Sequence, residues 1–489
     1  YSAKNEFHKV YYHKLGTPQS DDMLVYEDPS NASRYYTAET TEDEHFLIIN
    51  IAKGTSGNEI RVKNLLTKDA EFITVFPGFE ANAEVLNNVG DELLMMTDLH
   101  ASNQRIVLVN PDQPEEDHWK PVIPESDNLI KSASTAGKKL LVTYLTNAVS
   151  RCYRYSLEGQ MEQEIELPGL GSVSGLSGKM DDPCVFYSYT SFNYPPSIFR
   201  YDIAEGKSTL WNKSSIKFSP DDYEVKQLFF TSKDGTQVPM FVVHQKGMAL
   251  NRRNPTLLYG YGGFNISLTP MFSGNVANWL ELGGIYAVAN MRGGGEYGKA
   301  WHNAGTQQQK QNVFDDFIAA AEYLIENDYT SSERLAIRGG SNGGLLVGAC
   351  MTQRPELFKV ALPAVGVLDM LRYHTFTSGE GWKYDYGTSE QSEAMFQYLL
   401  GYSPVHNVKE GVQYPATLVT TADHDDRVVP AHSYKFIAEL QDKQQGANPV
   451  LIRIDVNAGH GAGMPLSKQI DLTTDVYAFT LHNMGIESI

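Results

Sequence analysis

A serine between two glycines, placed between a strand-like and a helix-like segment, constrains this chain more than any other feature. The motif is Gly-x-Ser-x-Gly at residues 339–343 and follows a short apolar run. A sharp strand-to-helix turn strains the backbone at the serine and brings neighbouring backbone segments very close to the turn. Gly339 and Gly343 permit this approach because they lack a Cβ. The motif therefore predicts that Ser341 is presented above a sheet as a nucleophile, and that the Asn342 N–H helps to bind an oxyanion.

The first ~215 residues repeat with a period of about 45–47 residues. Apolar runs begin near residues 46, 93, 140 and 185, and a second run of alternating pattern follows each of them. A β-rich repeat of this length predicts propeller blades of four strands, and two series in phase favour it over a β-sandwich. We expect four to five blades in residues 1–216. Because the chain starts abruptly inside a strand-rich pattern, we also expect the propeller to be incomplete in this chain.

After residue 216 the repeat stops and strand-like runs alternate with helical stripes. The strand-like runs lie at 255–259, 285–289, 335–337, 416–420 and 449–454, and the helical stripes lie at 313–325, near 433–441 and at about 470–484. This alternation predicts a mainly parallel, doubly wound sheet covered by helices. With the motif around Ser341, it predicts an α/β-hydrolase domain over residues 217–489.

A serine nucleophile needs a base and an orienting carboxylate, which in this fold follow it along the chain in the order acid, then histidine. The candidate acids are the three aspartates after the strand at 416–420, namely Asp423, Asp425 and Asp426. The pattern of residues does not choose among them. His460 lies between glycines after the next strand and is the candidate base. His424 and His432 lie beside the acid loop and are expected to be solvated or structural.

Composition and charge exclude several classes of function. The formal net charge is −19 and the isoelectric point about 5.1, so a basic footprint for nucleic acid is missing. No apolar run approaches the ~20 residues of a membrane span. A Ser–His–Asp relay supplies its own nucleophile, so we expect neither a cofactor nor a metal. We expect a soluble protein, and composition does not choose between cytoplasm and periplasm.

Five motifs, in order, resemble the prolyl oligopeptidase family, the proline-specific serine peptidases. They lie at residues 259–265, 290–298, 339–344, 423–430 and 458–463. The resemblance implies a triad of Ser341, Asp425 and His460. It also implies an oxyanion hole formed by the Tyr261 hydroxyl and the Asn342 N–H.

The resemblance further implies a pocket for a proline side chain. Its residues are Phe264, Val367, Trp382, Tyr386 and Val428. A proline ring is flat and apolar, so an aromatic face can stack on it. Arg427 is implied to bind a substrate carbonyl. The implied reaction is hydrolysis of short peptides on the carboxyl side of proline, since the family's propeller excludes folded proteins.

The N-terminal part of the family's pattern is expected to be absent from this chain. In the family, seven blades form the propeller and an N-terminal segment packs on the hydrolase domain. An open propeller exposes strand edges. We therefore expect two kinds of partner: short proline-containing peptides and the missing N-terminal portion of the same protein.

Three alternative functions remain open at this point. A peptidase of the oligopeptidase B type, which cleaves after basic residues, needs acidic side chains in the pocket, and Glu380 and Asp385 flank Trp382. An esterase on the same fold is a second alternative. A binding propeller with an inactive hydrolase domain is a third, and an intact set of Ser341, Asp425 and His460 argues against it.

Overall fold

The computed structural model describes residues 6–461 and 463–486 of the chain. Its first part consists almost entirely of strands. They are β1 (Lys9–Tyr12), β2 (Met23–Glu27), β3 (Tyr35–Thr40), β4 (Phe46–Ala52), β5 (Asn58–Asn64), β6 (Ile73–Phe76), β7 (Ala83–Val89), β8 (Glu92–Thr97), β9 (Arg105–Val109), β10 (Lys120–Ile123), β11 (Leu129–Ala136), β12 (Lys139–Thr146), β13 (Val149–Ser156), β14 (Met161–Ile165), β15 (Ser172–Ser177), β16 (Cys184–Ser191), β17 (Tyr194–Asp202) and β18 (Lys207–Lys213).

These strands form four consecutive four-stranded antiparallel sheets, β3–β6, β7–β10, β11–β14 and β15–β18, and one two-stranded sheet, β1–β2. The two repeating runs of the sequence are the second and third strands of each four-stranded sheet. Apolar side chains of neighbouring sheets pack together, as Ile48 and Val62 do with Leu93 and Met95. A strand buried on both faces reads as a continuous apolar run, which is why the repeat predicts the propeller.

The second part alternates strands with helices. Its strands are β19 (Tyr223–Thr231), β20 (Gln237–Gln245), β21 (Thr256–Tyr259), β22 (Ile285–Ala289), β23 (Leu335–Gly340), β24 (Val360–Ala364), β25 (Ala416–Ala422) and β26 (Val450–Asp455). Its helices are α1 (Gly274–Glu281), α2 (Gly298–Asn303), α3 (Gln311–Glu326), α4 (Asn342–Gln353), α5 (Lys383–Tyr386), α6 (Glu393–Tyr402), α7 (Ala431–Lys443) and α8 (Leu466–Asn483).

All eight strands form one sheet in the order β19-β20-β22-β21-β23-β24-β25-β26. The pairings of β20 with β19 and β22 are antiparallel, and the pairings from β22 through β26 are parallel. One face packs against α3, α4 and α7, and the other against α1 and α8. The mixed sheet between helices confirms the predicted α/β-hydrolase fold.

The strand β24 corrects the sequence analysis, which has the run at 416–420 directly follow the strand before Ser341. Pro363 is the reason that the pattern hides it, because a proline inside a run argues against a central strand. Its missing N–H is accommodated by a gap in the ladder, since β24 pairs with β25 at Val360, Ala361 and Ala364 but not at Pro363.

The chain passes from the propeller sheets to the hydrolase sheet between Lys213 and Tyr223. The division into domains at 1–216 and 217–489 falls in this connection and stays a prediction. Among the described residues, no helix combines the length and the apolar character needed to cross a bilayer.

Candidate active site

Ser341 occupies the turn between β23 and α4. Its backbone has φ 59° and ψ −117°, a conformation that residues other than glycine rarely adopt. A Cβ on Gly339 would lie 2.3 Å from the Gly343 carbonyl oxygen, and one on Gly343 would lie 2.7 Å from the Gly260 carbonyl oxygen. The two glycines of the motif are therefore required by close backbone approach, and the turn has the geometry of a nucleophile elbow.

His460 and Asp425 meet on the loops that follow β26 and β25. The His460 Nδ1 lies 2.6 Å from the Asp425 Oδ2. The other carboxylate oxygen of Asp425 accepts the N–H groups of Arg427 at 3.0 Å and Val428 at 2.8 Å. Because a carboxylate only accepts, Nδ1 carries the imidazole proton and leaves Nε2 free to take another.

The structure distinguishes the three aspartates that the sequence leaves equivalent. Asp425 is 2% exposed and contacts His460. Asp423 is instead 2.7 Å from the Nδ1 of the exposed His424. Asp426 is exposed. Asp425 therefore has the geometry of the orienting carboxylate.

His432 has a structural environment of its own. It is buried at the start of α7, and its Nδ1 accepts the N–H of Asp369 at 3.0 Å. Burial lowers the pKa of His432 to about 4, so this histidine is neutral near neutral pH.

The two candidate oxyanion donors converge on the elbow from different elements. Asn342 is the first residue of α4, where a backbone N–H has no acceptor within the helix. Tyr261 lies on the loop after β21, which we call the oxyanion loop (residues 260–265). Burial raises the pKa of Tyr261 to about 12, although the nearby Arg427 and a side-chain hydrogen bond with Ser341 lower it. The hydroxyl therefore stays protonated at neutral pH and can donate.

Removing the Tyr261 hydroxyl should lower kcat. Tyr261→Phe keeps the ring but removes one oxyanion donor, so we expect kcat to fall by about 10²–10³ with a much smaller change in KM. Steady-state kinetics of the variant on a peptide reporter substrate measures both. Tyr259→Phe, two residues earlier, is the matched control. A kcat for Tyr261→Phe within about threefold of the parent value would exclude Tyr261 as an oxyanion donor.

The five apolar residues of the predicted pocket belong to one packed cluster on the α3–α4 face of the sheet. Val367, Tyr386 and Val428 are buried within it, whereas Phe264 and Trp382 are partly exposed against it. The Phe264 and Tyr386 rings meet edge to face with centroids 5.5 Å apart. The rings of Phe264 and Trp382 are therefore only partly covered, and both lie against a buried apolar cluster.

Two contacts place this pocket beside Ser341. The Tyr386 hydroxyl donates to the side-chain oxygen of Asn342, the residue after Ser341, at 2.8 Å. Phe264 lies on the oxyanion loop with Tyr261, whose pKa is lowered slightly by the neighbouring Ser341 side chain. Arg427 is exposed, and its charge acts on the Tyr261 hydroxyl.

Sequence reasoning named Asp385 only as a possible acidic residue of the pocket and missed its burial and its hydrogen-bond partners. Asp385 is buried on α5, and its Oδ1 accepts the Phe264 N–H at 2.8 Å and faces the His302 Nε2 at 3.0 Å. Thr55 of the propeller donates to its Oδ2 at 3.5 Å. Lys310 is also buried nearby. No local pattern marks these residues, because their partners are distant in sequence. Among the described residues, no three or more His, Cys, Asp or Glu side chains form a group that could hold a metal ion.

Comparison with known proteins places the chain among relatives of the same organisation. A model of the prolyl oligopeptidase family matches residues 270–487, and a model of its N-terminal β-propeller domain matches residues 1–214. The prolyl endopeptidase of Elizabethkingia meningoseptica is 50% identical over 488 residues, which cover 100% of this chain and 69% of that protein.

Solved structures agree with the sequence matches. One from a study of two prolyl endopeptidases superposes with a TM-score of 0.94 and 43% identity, covering 99% of this chain and 72% of that one. Oligopeptidase B of Leishmania major superposes with a TM-score of 0.88 and 26% identity, covering 98% and 69%.

The sequence analysis expects the N-terminal part of the family's pattern to be absent from this chain. That expectation is wrong, because the model of the family's N-terminal propeller domain matches residues 1–214. The comparisons give no support to a separate N-terminal portion acting as a partner. Both family models and the identity over the whole chain show that this chain belongs to the prolyl oligopeptidase family of serine peptidases.

Proposed function

We propose that this chain is a serine endopeptidase that hydrolyses short peptides on the carboxyl side of proline. The observation that carries the proposal is the apolar cluster beside Ser341, in which the rings of Phe264 and Trp382 stay partly exposed against buried Val367, Tyr386 and Val428. A proline ring fills such a pocket without needing a hydrogen-bonding or charged partner. Prolyl endopeptidases among the relatives support the same specificity.

The proposed mechanism assigns one role to each group. Ser341 Oγ attacks the carbonyl carbon of a prolyl residue while His460 Nε2 takes its proton, and Asp425 stabilises the imidazolium that forms. The Tyr261 hydroxyl and the Asn342 N–H stabilise the oxyanion. The intermediate collapses to an acyl-enzyme as His460 returns the proton to the leaving amine. Water, deprotonated by His460, then releases the acid product and restores Ser341.

The contacts of the two acidic residues near Trp382 argue against a preference for basic residues. Asp385 is buried and already accepts the Phe264 N–H beside His302. The side chain of Glu380 is 65% exposed and paired with Lys383. Neither offers a free carboxylate to a lysine or arginine side chain in the pocket, as the oligopeptidase B type of specificity requires.

Contacts between the propeller and the hydrolase domain support a preference for short peptides. The Tyr297 hydroxyl donates to the Asn147 side chain at 3.0 Å, and the Ala300 N–H donates to the Ser102 hydroxyl at 2.8 Å. With the Thr55 contact to Asp385, these bonds hold propeller loops against α5, which carries Tyr386, and against α2, whose His302 contacts Asp385. Propeller loops held this close to α5 favour a flexible peptide over a folded protein as the substrate.

Two blocked reporter peptides, one ending in Gly-Pro and one in Arg-Arg, test the proposal. We expect release of the reporter only from the Gly-Pro peptide, because the pocket is apolar and its neighbouring carboxylates are engaged. Equal or faster cleavage of the Arg-Arg peptide would contradict the proposed specificity. Cleavage of a matched ester without any peptide cleavage would support the esterase alternative.

A further inference from the structure

A buried lysine connects the oxyanion loop to the nucleophile elbow. Lys310 immediately precedes α3 and is 1% exposed. Its Nζ donates to the Gly262 carbonyl oxygen at 2.8 Å and to the Asn342 Oδ1 at 3.2 Å. It also lies 5.3 Å from the centre of the Tyr386 ring, within the range of a cation–π interaction. One ammonium group therefore contacts both elements that supply the oxyanion donors.

The Asn342 side chain completes this connection. Its Oδ1 accepts from Lys310 and from the Tyr386 hydroxyl, and its Nδ2 donates to the Tyr261 carbonyl oxygen. The carbonyls of Tyr261 and Gly262 are consecutive on the oxyanion loop. The first accepts from the Asn342 side chain and the second accepts from Lys310. Without the Lys310 ammonium, the Gly262 carbonyl would lose its hydrogen bond from Nζ. The Asn342 Oδ1 would lose one of its two hydrogen-bond donors and keep only the Tyr386 hydroxyl.

A lysine at this position is costly to bury. Burial lowers the pKa of Lys310 to about 8, and the charge of Asp385 opposes this effect only in part. An apolar side chain of similar volume would avoid the desolvation cost. The contacts of Nζ account for a lysine here, because an apolar side chain cannot satisfy two carbonyl-type oxygens at once.

We propose that Lys310 is a positioning residue of the oxyanion hole, which fixes the separation between the Tyr261 hydroxyl and the Asn342 N–H. The inference rests on the proposed serine peptidase site and deepens it. Lys310 acts through its two acceptors and does not contact the reacting atoms. Its loss should therefore affect stabilisation of the oxyanion more than binding of the peptide.

The test is the rate at which a fluorophosphonate labels Ser341 in the parent chain and in Lys310→Met, measured by mass spectrometry. In this reaction Ser341 Oγ displaces fluoride from phosphorus, and the phosphoryl oxygen takes the place of the oxyanion. We expect labelling and kcat to fall by about 10- to 100-fold, since a misplacement near 1 Å costs about 10², while KM changes by less than about threefold. Lys359→Met, at the opposite end of the sheet, is the control and should label at the parent rate.

A double-mutant cycle with Tyr261→Phe separates positioning from general stability. If Lys310 acts through the oxyanion loop, Lys310→Met should lower the labelling rate and kcat much less in the Tyr261→Phe background than in the parent chain. Equal effects in the two backgrounds, or labelling of Lys310→Met at the parent rate, would overturn the inference. If Lys310→Met does not fold, Lys310→Gln replaces it, and the same two outcomes would overturn the inference.

The labelling readout also separates this inference from the proposed function. A parent chain that labels at Ser341 but does not cleave the Gly-Pro reporter would defeat the proposed specificity and leave the inference on Lys310 to be decided by the labelling rates. A parent chain that shows no labelling at Ser341 would overturn both.

Discussion

Replacing Ser341 with alanine should lower kcat for the Gly-Pro reporter by about 10⁶-fold, the cost of removing the nucleophile of a catalytic triad. The geometry gives the reason. Ser341 is held in a strained turn at the end of β23, and the His460–Asp425 pair follows on the loops after β26 and β25. Without Oγ, no acyl-enzyme can form, and only oxyanion stabilisation of direct water attack remains. Steady-state rates with the purified variant measure the loss.

The control for this experiment is Ser332→Ala. Ser332 precedes β23 at the end of the sheet opposite Ser341, so its loss should leave kcat unchanged. Both variants should match the parent in circular dichroism and melting temperature, because neither removes a core side chain. Retention of more than about 1% of the parent rate by Ser341→Ala would contradict the assignment of the nucleophile.

Asp425→Asn should lower kcat by about 10⁴-fold. The asparagine oxygen would keep accepting the Arg427 and Val428 N–H groups, which turns its NH₂ toward His460 Nδ1. An NH₂ group donates, so Nδ1 would have to be unprotonated and Nε2 would carry the proton. His460 in that tautomer cannot accept the Ser341 proton. The fold should be unaffected, because the substitution keeps the size of the side chain.

Asp423→Asn is the matched control for Asp425. It lies two residues earlier and contacts His424 rather than His460. We expect its kcat to stay within about threefold of the parent value, because no group of the proposed relay touches it. A loss in Asp423→Asn that equals or exceeds the loss in Asp425→Asn would show that the relay uses a different carboxylate.

Features with a local steric or burial cause could be predicted from the sequence. The elbow at Ser341 follows from close backbone approach at Gly339 and Gly343, which any sequence with that turn must allow. The propeller sheets follow from the burial of their central strands, which imposes an apolar run at each period. Both signals lie within a few residues of the feature that they predict.

Features that depend on packing between distant segments could not be predicted from local pattern. Three neighbouring aspartates look alike in the sequence, and only the path of the loop after β25 turns Asp425 toward His460. Lys310 precedes a helix like many surface lysines, and its role depends on the oxyanion loop and the elbow closing around it. The resemblance to the family supplied the pocket residues, since aromatic side chains in a core carry no specific signal of their own.

Ser341 is proposed to be the nucleophile that cleaves peptides after proline. The most direct measurement is mass spectrometry of the products from a mixture of short peptides with every residue type represented, digested by the parent chain with Ser341→Ala as the blank. We predict new carboxyl termini at proline, present with the parent and absent from the blank. New carboxyl termini mainly at arginine and lysine, or the same products from both proteins, would contradict the account.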